Sequence, residues 1–441
     1  MRRLIVRRGL TAVGIYASVA LGFLGTTIVA PRLLGSVRFG EFATVLAAAG
    51  FFQSLFDLTV EEALVKYGFH YVAEEDWGRL RGLFASALRF KLAGAAIGGV
   101  ALLVAAPLSR FVWGAHLTTP LLIAAAVPVG QSLEGLAAQA LMLRGRYDVR
   151  AAFLTWATAL RLAGILVGAH HGLVGAVIGV VAAQLVSTAS IAVGGWLAFR
   201  RFPSAPSSPL GDDRREIVSF VVQSSAATGV LSVRGQLAPL LLGAVTTTTQ
   251  LGFFRVAQAP QTAFQALSAP ARMVLLAEQT RDWEAGRREN VLRGVRRYSA
   301  VAAGLMAVVV PLLVIFMPQL VHAVYPRTFW GVTDAARLFV AAAAVQFVVA
   351  WSKSLPVTIG RPNLRIWTHG VETLVVLPLV VVLGLRWGAT GAAGAMLAGS
   401  CVFAIHWTAI FLRIRADDVH APEPLGEAAA NEEIEAAALA R

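Results

Sequence analysis

An arginine inside an apolar run demands a reason, because a charge in hydrocarbon is costly and normally faces a protein interior or water. Arg234 and Arg255 both fall in such runs, and neither has a carboxylate within a turn on its own helix. Two guanidinium groups of this kind suit an anionic ligand such as a diphosphate, since the planar fork engages two oxygens at once. The competing reading is structural: either arginine could bond helix-end carbonyls or reach outward to the membrane surface. Arg161 and Glu134 pose the same choice between pairing with each other and touching substrate, and so do Glu372 and Lys353. Asp57 lies deeper in its span than the Glu61 and Glu62 that follow, and with Glu134 it is a candidate proton or cation site. Gln53 and Gln265 are candidate cavity-lining donors and acceptors for sugar hydroxyls, with interhelical bonding as the alternative.

Several chemistries are excluded. Cys401 is the lone cysteine, so no internal disulfide and no cysteine-based metal site can form. The histidines show no ligand spacing, no Ser/His/Asp or Cys/His set occurs, and no Walker motif is present. We therefore expect no catalytic residues, no metal and no cofactor. The net charge of +13 comes almost entirely from arginine, with Lys66, Lys91 and Lys353 the only lysines. These basic residues lie in short runs between apolar spans, which argues against a nucleic-acid partner.

The elements that position these residues are membrane spans. Only 14% of the 441 residues are charged, 57% are hydrophobic, and the mean hydropathy is +0.68. A span needs about 20 apolar residues. That window predicts helices near 10–33, 40–61, 84–108, 118–142, 151–169 and 172–199, then near 217–243, 249–275, 298–323, 332–356, 366–385 and 388–413. The first run follows Arg2, Arg3, Arg7 and Arg8 but lacks a cleavage site, so it reads as a retained helix. Alternate connections carry most of the Arg and Lys, and the positive-inside rule then puts both termini in the cytoplasm. The expected location is the cytoplasmic membrane, multi-pass. Residues 1–199 form one six-helix half and 217–415 the other, joined by 200–216, whose Pro, Ser and charge read as a flexible cytoplasmic linker. An acidic, Ala-rich cytoplasmic tail occupies 416–441. Segments 66–91 and 277–298 read as amphipathic surface helices anchored by Trp77 and Trp283, suited to membrane lipid.

The halves repeat. Ala30-Pro31 recurs as Ala238-Pro239, and Phe39-Gly40-Glu41-Phe42 as Leu251-Gly252-Phe253-Phe254. Phe52-Gln53 recurs as Phe264-Gln265, Asp76-Trp77 as Asp282-Trp283, Gly145-Arg146 as Gly360-Arg361, and Gly172 with Gly175 as Gly388 with Gly391. The matches keep one order at nearly constant offset. An even helix count per half makes the repeat parallel, with its axis along the membrane normal. The predicted fold is thus all-α: about twelve transmembrane helices in two parallel six-helix repeats around a central cavity. That layout favours a transporter.

The pattern APRLLG…FGEF…DLTVEEALVKYG…DWGRLRGLF, with a GR-x-x-x-R loop and a GLVGAVIG helix, resembles the polysaccharide flippases of the multidrug/oligosaccharidyl-lipid/polysaccharide exporter superfamily over about 5–415. The resemblance implies ion-gradient-driven flipping of an undecaprenyl-diphosphate-linked oligosaccharide, beside a polysaccharide polymerase and glycosyltransferases. Arg255 with Pro260 looks like the Arg-x-x-x-x-Pro element of the lipid II flippase branch, where that arginine contacts substrate. Two features of that branch are missing: no arginine lies between Gly9 and Pro31, and Gln258 stands where it has an acidic residue. A cation-coupled multidrug antiporter of the same superfamily and a membrane-embedded polysaccharide enzyme are the alternatives.

Overall fold

The computed structural model describes residues 2–56, 59–211, 213–266, 279, 281–283, 286–359, 361 and 363–419. Among them every regular element is helical. In chain order these are α1 (Arg2–Phe23), α2 (Ala30–Phe56), α3 (Val60–Ala73), α4 (Trp77–Trp113), α5 (Thr118–Ala124), α6 (Val127–Leu143), α7 (Tyr147–Ala169) and α8 (Gly172–Phe199). The second half holds α9 (Asp213–Val245), α10 (Thr248–Ala257), α11 (Arg288–Val324), α12 (Thr333–Val348), α13 (Leu355–Thr358) and α14 (Asn363–Val419). A π-helical turn, Leu24–Val29, joins α1 to α2.

The two longest continuous helical stretches, Thr11–Phe56 and Asn363–Ala416, hold two spans each, broken at glycine. Gly35 in α2 (φ 72°, ψ 173°) and Gly388 in α14 (φ 56°, ψ −135°) take backbone angles that a side chain would strain. Gly172, the repeat partner of Gly388, also has a positive φ, of 75°, at the start of α8. Separate spans at both breaks turn 8 long apolar helical stretches into more, and α9 and the helix opening with α10 complete the twelve-helix bundle. Within the first half, α7 and α8 touch backbone to backbone, where a Cβ on Gly168 or Gly175 would strike the other's carbonyl. Small residues allow this approach.

Two corrections concern the connections. The expected flexible linker is packed rather than loose. Ser208 N–H donates to the Gly78 carbonyl at 3.1 Å, and Gly82 faces the Ser208 carbonyl with no room for a side chain. Phe202 and Leu210 are buried with Tyr67, Tyr71, Leu80 and Leu83. Pro and Ser favour an open chain, but the segment's two apolar residues have a core to enter. Helix α9 also begins at Asp213, so 213–216 belong to the helix.

The apolar core is shared at one end of the bundle and divided at the other. The large cluster joins both halves through residues such as Ala47, Leu102, Leu240, Phe254 and Val340. Toward the face carrying most of the arginines, the basic face, the core splits. One cluster joins α3, α4, the linker and the start of α9; the other gathers Val291, Trp351, Leu355, Phe403 and Trp407. The halves therefore meet firmly opposite the basic face and part toward it, with the first turns of α9 held by the first half.

The far end is closed by bonds between halves. Pro31 has no N–H to give the Thr27 carbonyl, and Tyr325 O–H donates to that carbonyl instead at 2.9 Å. Arg32 donates to the carbonyls of Val324 and Ala323, capping the end of α11. Here α2 and α10 cross so closely that a Cβ on Gly252 would lie 2.8 Å from the Gly40 Cα. These are equivalent positions of the repeat.

Candidate functional site

Arg255 occupies the last turn of α10, just before the helix breaks at Gln258. Pro260 causes the break, since it cannot donate to the Val256 carbonyl. The guanidinium is half-buried and donates to Gln236 Oε1 at 2.7 Å. The Gln236 side chain lies against Gly50 of α2, where a Cβ would meet its Nε2 at 2.9 Å. Arg255 therefore stands where α2, α9 and α10 meet, at the junction of the halves and off the lipid face. Among the described residues it has no carboxylate partner. A neutral partner leaves its charge uncompensated, as an anion site requires.

Arg234 differs. It pairs across the bundle with Glu372 of α14, both side chains being nearly buried. Glu372 also receives His369 Nδ1 at 3.1 Å, and the His369 ring stacks on Phe403 at 4.9 Å. Of the two readings open for Glu372, pairing with Lys353 or touching substrate, neither describes its contact here: its partner is Arg234, because helices seven and eleven are neighbours in the fold. The partner lies more than a hundred residues away in sequence, on a different helix.

Arg161, Glu134 and Gln53 come together on one cavity of about 530 Å3 inside the first half. Arg161 and Glu134 do not touch directly. Arg161 Nη2 donates to Gln184 Oε1, and Gln184 Nε2 donates to Glu134 Oε2 at 2.8 Å. Gln184 is buried and also donates to Thr188 Oγ1 at 3.0 Å, so one amide fixes both charged groups. Gln131, Tyr147 and Arg150 line the same cavity, Arg150 being the last residue of the GR-x-x-x-R element and lying in the first turn of α7. Behind its wall Lys91, only 1% exposed in its side chain, pairs with Glu61 of α3 at 2.6 Å, and Glu61 presses on Gly135. The charged lining is one carboxylate against two guanidiniums. A space this size has room for roughly fifteen to twenty waters.

Gln265 lies apart from Gln53, in a small recess of the second half with Gln346 and Lys353. The repeat places the two glutamines at matching positions, yet the structure does not bring them to one cavity. Asp57 falls outside the described residues. Among the described residues no group of His, Cys, Asp and Glu could hold a metal ion.

An apolar cavity of about 600 Å3 borders the helix carrying Arg255. Phe23 and Ile28 close one side, and Val256, Pro260, Leu313 and Met317 the other.

Residues 8–276 match the family model described as polysaccharide biosynthesis protein. The chain belongs to that family. No curated protein matches this family member. Its fold is that of solved transporters. An inward-facing multidrug resistance MATE family transporter of the MOP superfamily superposes with a TM-score of 0.65 at 13% identity, covering 95% of this chain and 99% of that one. The lipid II flippase MurJ, in an inward closed conformation, gives 0.68 at 12% identity, covering 93% and 90%. A mutant of the Vibrio cholerae MATE transporter VcmN gives 0.57 at 12% identity, covering 94% and 97%. At these identities the likeness is one of fold. With its long apolar helices, the chain is a multi-pass membrane protein with the fold seen in these MOP-superfamily transporters.

Proposed function

We propose that the chain flips an undecaprenyl-diphosphate-linked oligosaccharide from the inner to the outer leaflet of the cytoplasmic membrane, by alternating access of its two halves. The observation that carries this reading is Arg255, a guanidinium at the junction of the halves with a neutral partner, in a chain of the polysaccharide biosynthesis family. The diphosphate would exchange for Gln236 on that guanidinium. The apolar cavity beside the same helix suits the polyprenyl tail, and the amides and guanidiniums of the first-half cavity suit sugar hydroxyls. Both termini would then be cytoplasmic, as the arginine distribution requires. The parting of the halves toward the basic face is the geometry of loading from the cytoplasm.

An ion gradient would drive the cycle, with Glu134 as the carboxylate available to a proton. A drug antiporter for cations would favour an acidic cavity, whereas the charged lining here is mostly cationic. Glycosyltransferases that build the glycan and a polymerase that extends it would be the working partners.

Deletion of the gene should abolish the surface polysaccharide and leave the lipid-linked intermediate on the cytoplasmic side. Wild-type protein should restore the polysaccharide, and Arg255→Ala should fail at equal membrane abundance. Full rescue by Arg255→Ala would remove the site, and an unchanged polysaccharide after deletion would remove the function.

A further inference from the structure

On the outside of the first half a groove of about 540 Å3 runs between α4, α6 and α8 near the basic face. Its floor is built of small residues, among them Ala137, Ala140, Ala192 and Gly195. Its lip is open to the membrane, with Leu88 38% and Trp196 56% exposed. Ala205 and Ser207 of the linker close its basic end, and Arg81 is the one charged residue in the lining.

Around that end three guanidiniums rest on rings that line or adjoin the groove. Arg81 lies 5.4 Å over Phe199, Arg200 lies 4.6 Å over Trp196, and Arg144 lies 5.0 Å over Phe202, which meets Phe199 edge-on. Arg81 donates one Nη2 to the Pro203 carbonyl at 3.3 Å, while its buried Nε has no partner among the described residues. Nearby carboxylates are engaged elsewhere: Asp213 with Tyr71 and Arg79, Glu216 with Tyr67 and Lys66. Among the described residues none of the three arginines has an ion-pair partner. Ring stacking holds them in place while leaving donors free.

We propose that this groove binds an anionic phospholipid of the leaflet on the basic face. One acyl chain lies along the alanine floor, and the phosphate is held by Arg81 and Arg200, with Arg144 adding to the field. A neutral lipid or an apolar peptide would fill the floor without using the uncompensated charge. Because the linker forms one wall, an occupied groove braces the segment that joins the two halves.

The test uses the full chain in detergent, titrated with phosphatidylglycerol or phosphatidylcholine and read by native mass spectrometry and by melting temperature. Wild type should retain phosphatidylglycerol preferentially and melt higher with it. Arg81→Gln and Arg200→Gln should each weaken retention about fivefold, the equivalent of ~1 kcal/mol per arginine at an anionic surface. Ala192→Trp should fill the floor and lose the lipid; if that variant fails to fold, Leu88→Asn at the exposed lip serves in its place. Arg255→Ala should keep full retention, which separates this site from the transport reading. Equal retention of the two lipids, or a double arginine variant that binds like wild type, would overturn the proposal. So would inorganic phosphate that displaces the lipid and gives the same melting shift.

Discussion

Each half of the bundle carries an arginine inside a span near a carboxylate, and the two halves treat the pair differently. In the second half Arg234 and Glu372 close directly on one another, with His369 as a second partner, inside a packed region. In the first half Arg161 and Glu134 are held apart by Gln184, and both border a cavity of about 530 Å3. The pairs are not repeat equivalents: one spans helices seven and eleven, the other helices four and five. A closed pair neutralises itself and serves packing, whereas a pair spaced by an amide on a cavity wall keeps donors and acceptors available. The difference separates a structural charge cluster from one fit for ligand.

The comparison breaks most visibly at Glu372. Glu372→Ala strands Arg234 and should destabilise the fold by about 3–5 kcal/mol. The double change Arg234→Met with Glu372→Leu should recover most of that loss, because it removes both charges. Reversible denaturation in mixed micelles reads both. Persistent instability of the double variant would mean the pair does more than neutralise itself.

Gln184→Ala is the corresponding cut in the first half. It should cost less, about 1–3 kcal/mol, since Arg161 and Glu134 can each turn to solvent in the cavity. A loss equal to that of Glu372→Ala would show that this cavity is as closed as the second-half cluster.

The repeated Asp-Trp element gives a smaller contrast. Asp76 accepts from the Arg79 N–H at 2.9 Å and caps α4, so Asp76→Ala should cost about 1 kcal/mol. Asp282 instead takes Arg287 at 2.8 Å on the surface, and Asp282→Asn should leave the melting temperature unchanged. Equal effects would mean that one sequence motif does one job in both halves.

The smallest effect concerns acid. Hydrogen bonds from Tyr67 and Lys66 hold the Glu216 carboxyl below the usual carboxylate range. Its contribution is therefore complete above a pH of about 4.3 and fades as pH falls through the depressed value. Tyr67→Phe should flatten the acid side of the stability profile between wild type and variant. An identical acid limb would show that the contact between α3 and α9 carries no pH dependence.

Much of the architecture was legible because apolar length and loop charge are strong signals, and the expected spans already begin at Gly172 and Gly388, where the backbone turns with positive φ. The site was less so. Arg255 and Arg161 were found as charges inside spans, but their partners Gln236 and Gln184 are neutral residues on other helices, which no local pattern marks. Arg234 looked free for the same reason. Arg150 was hidden by its place next to a loop, and the linker by a composition that usually means exposure. Pairing across a bundle depends on helix neighbours, which a single chain does not spell out.

The crossing of Gly40 with Gly252 bears on where such a chain came from. Equivalent positions that touch one another across an axis normal to the membrane form what, between separate chains, is an isologous contact. A six-helix ancestor inserted in one orientation would have paired through this glycine with its own copy. A connection as short as 200–211, packed along α4, is long enough to join two such copies into one polypeptide.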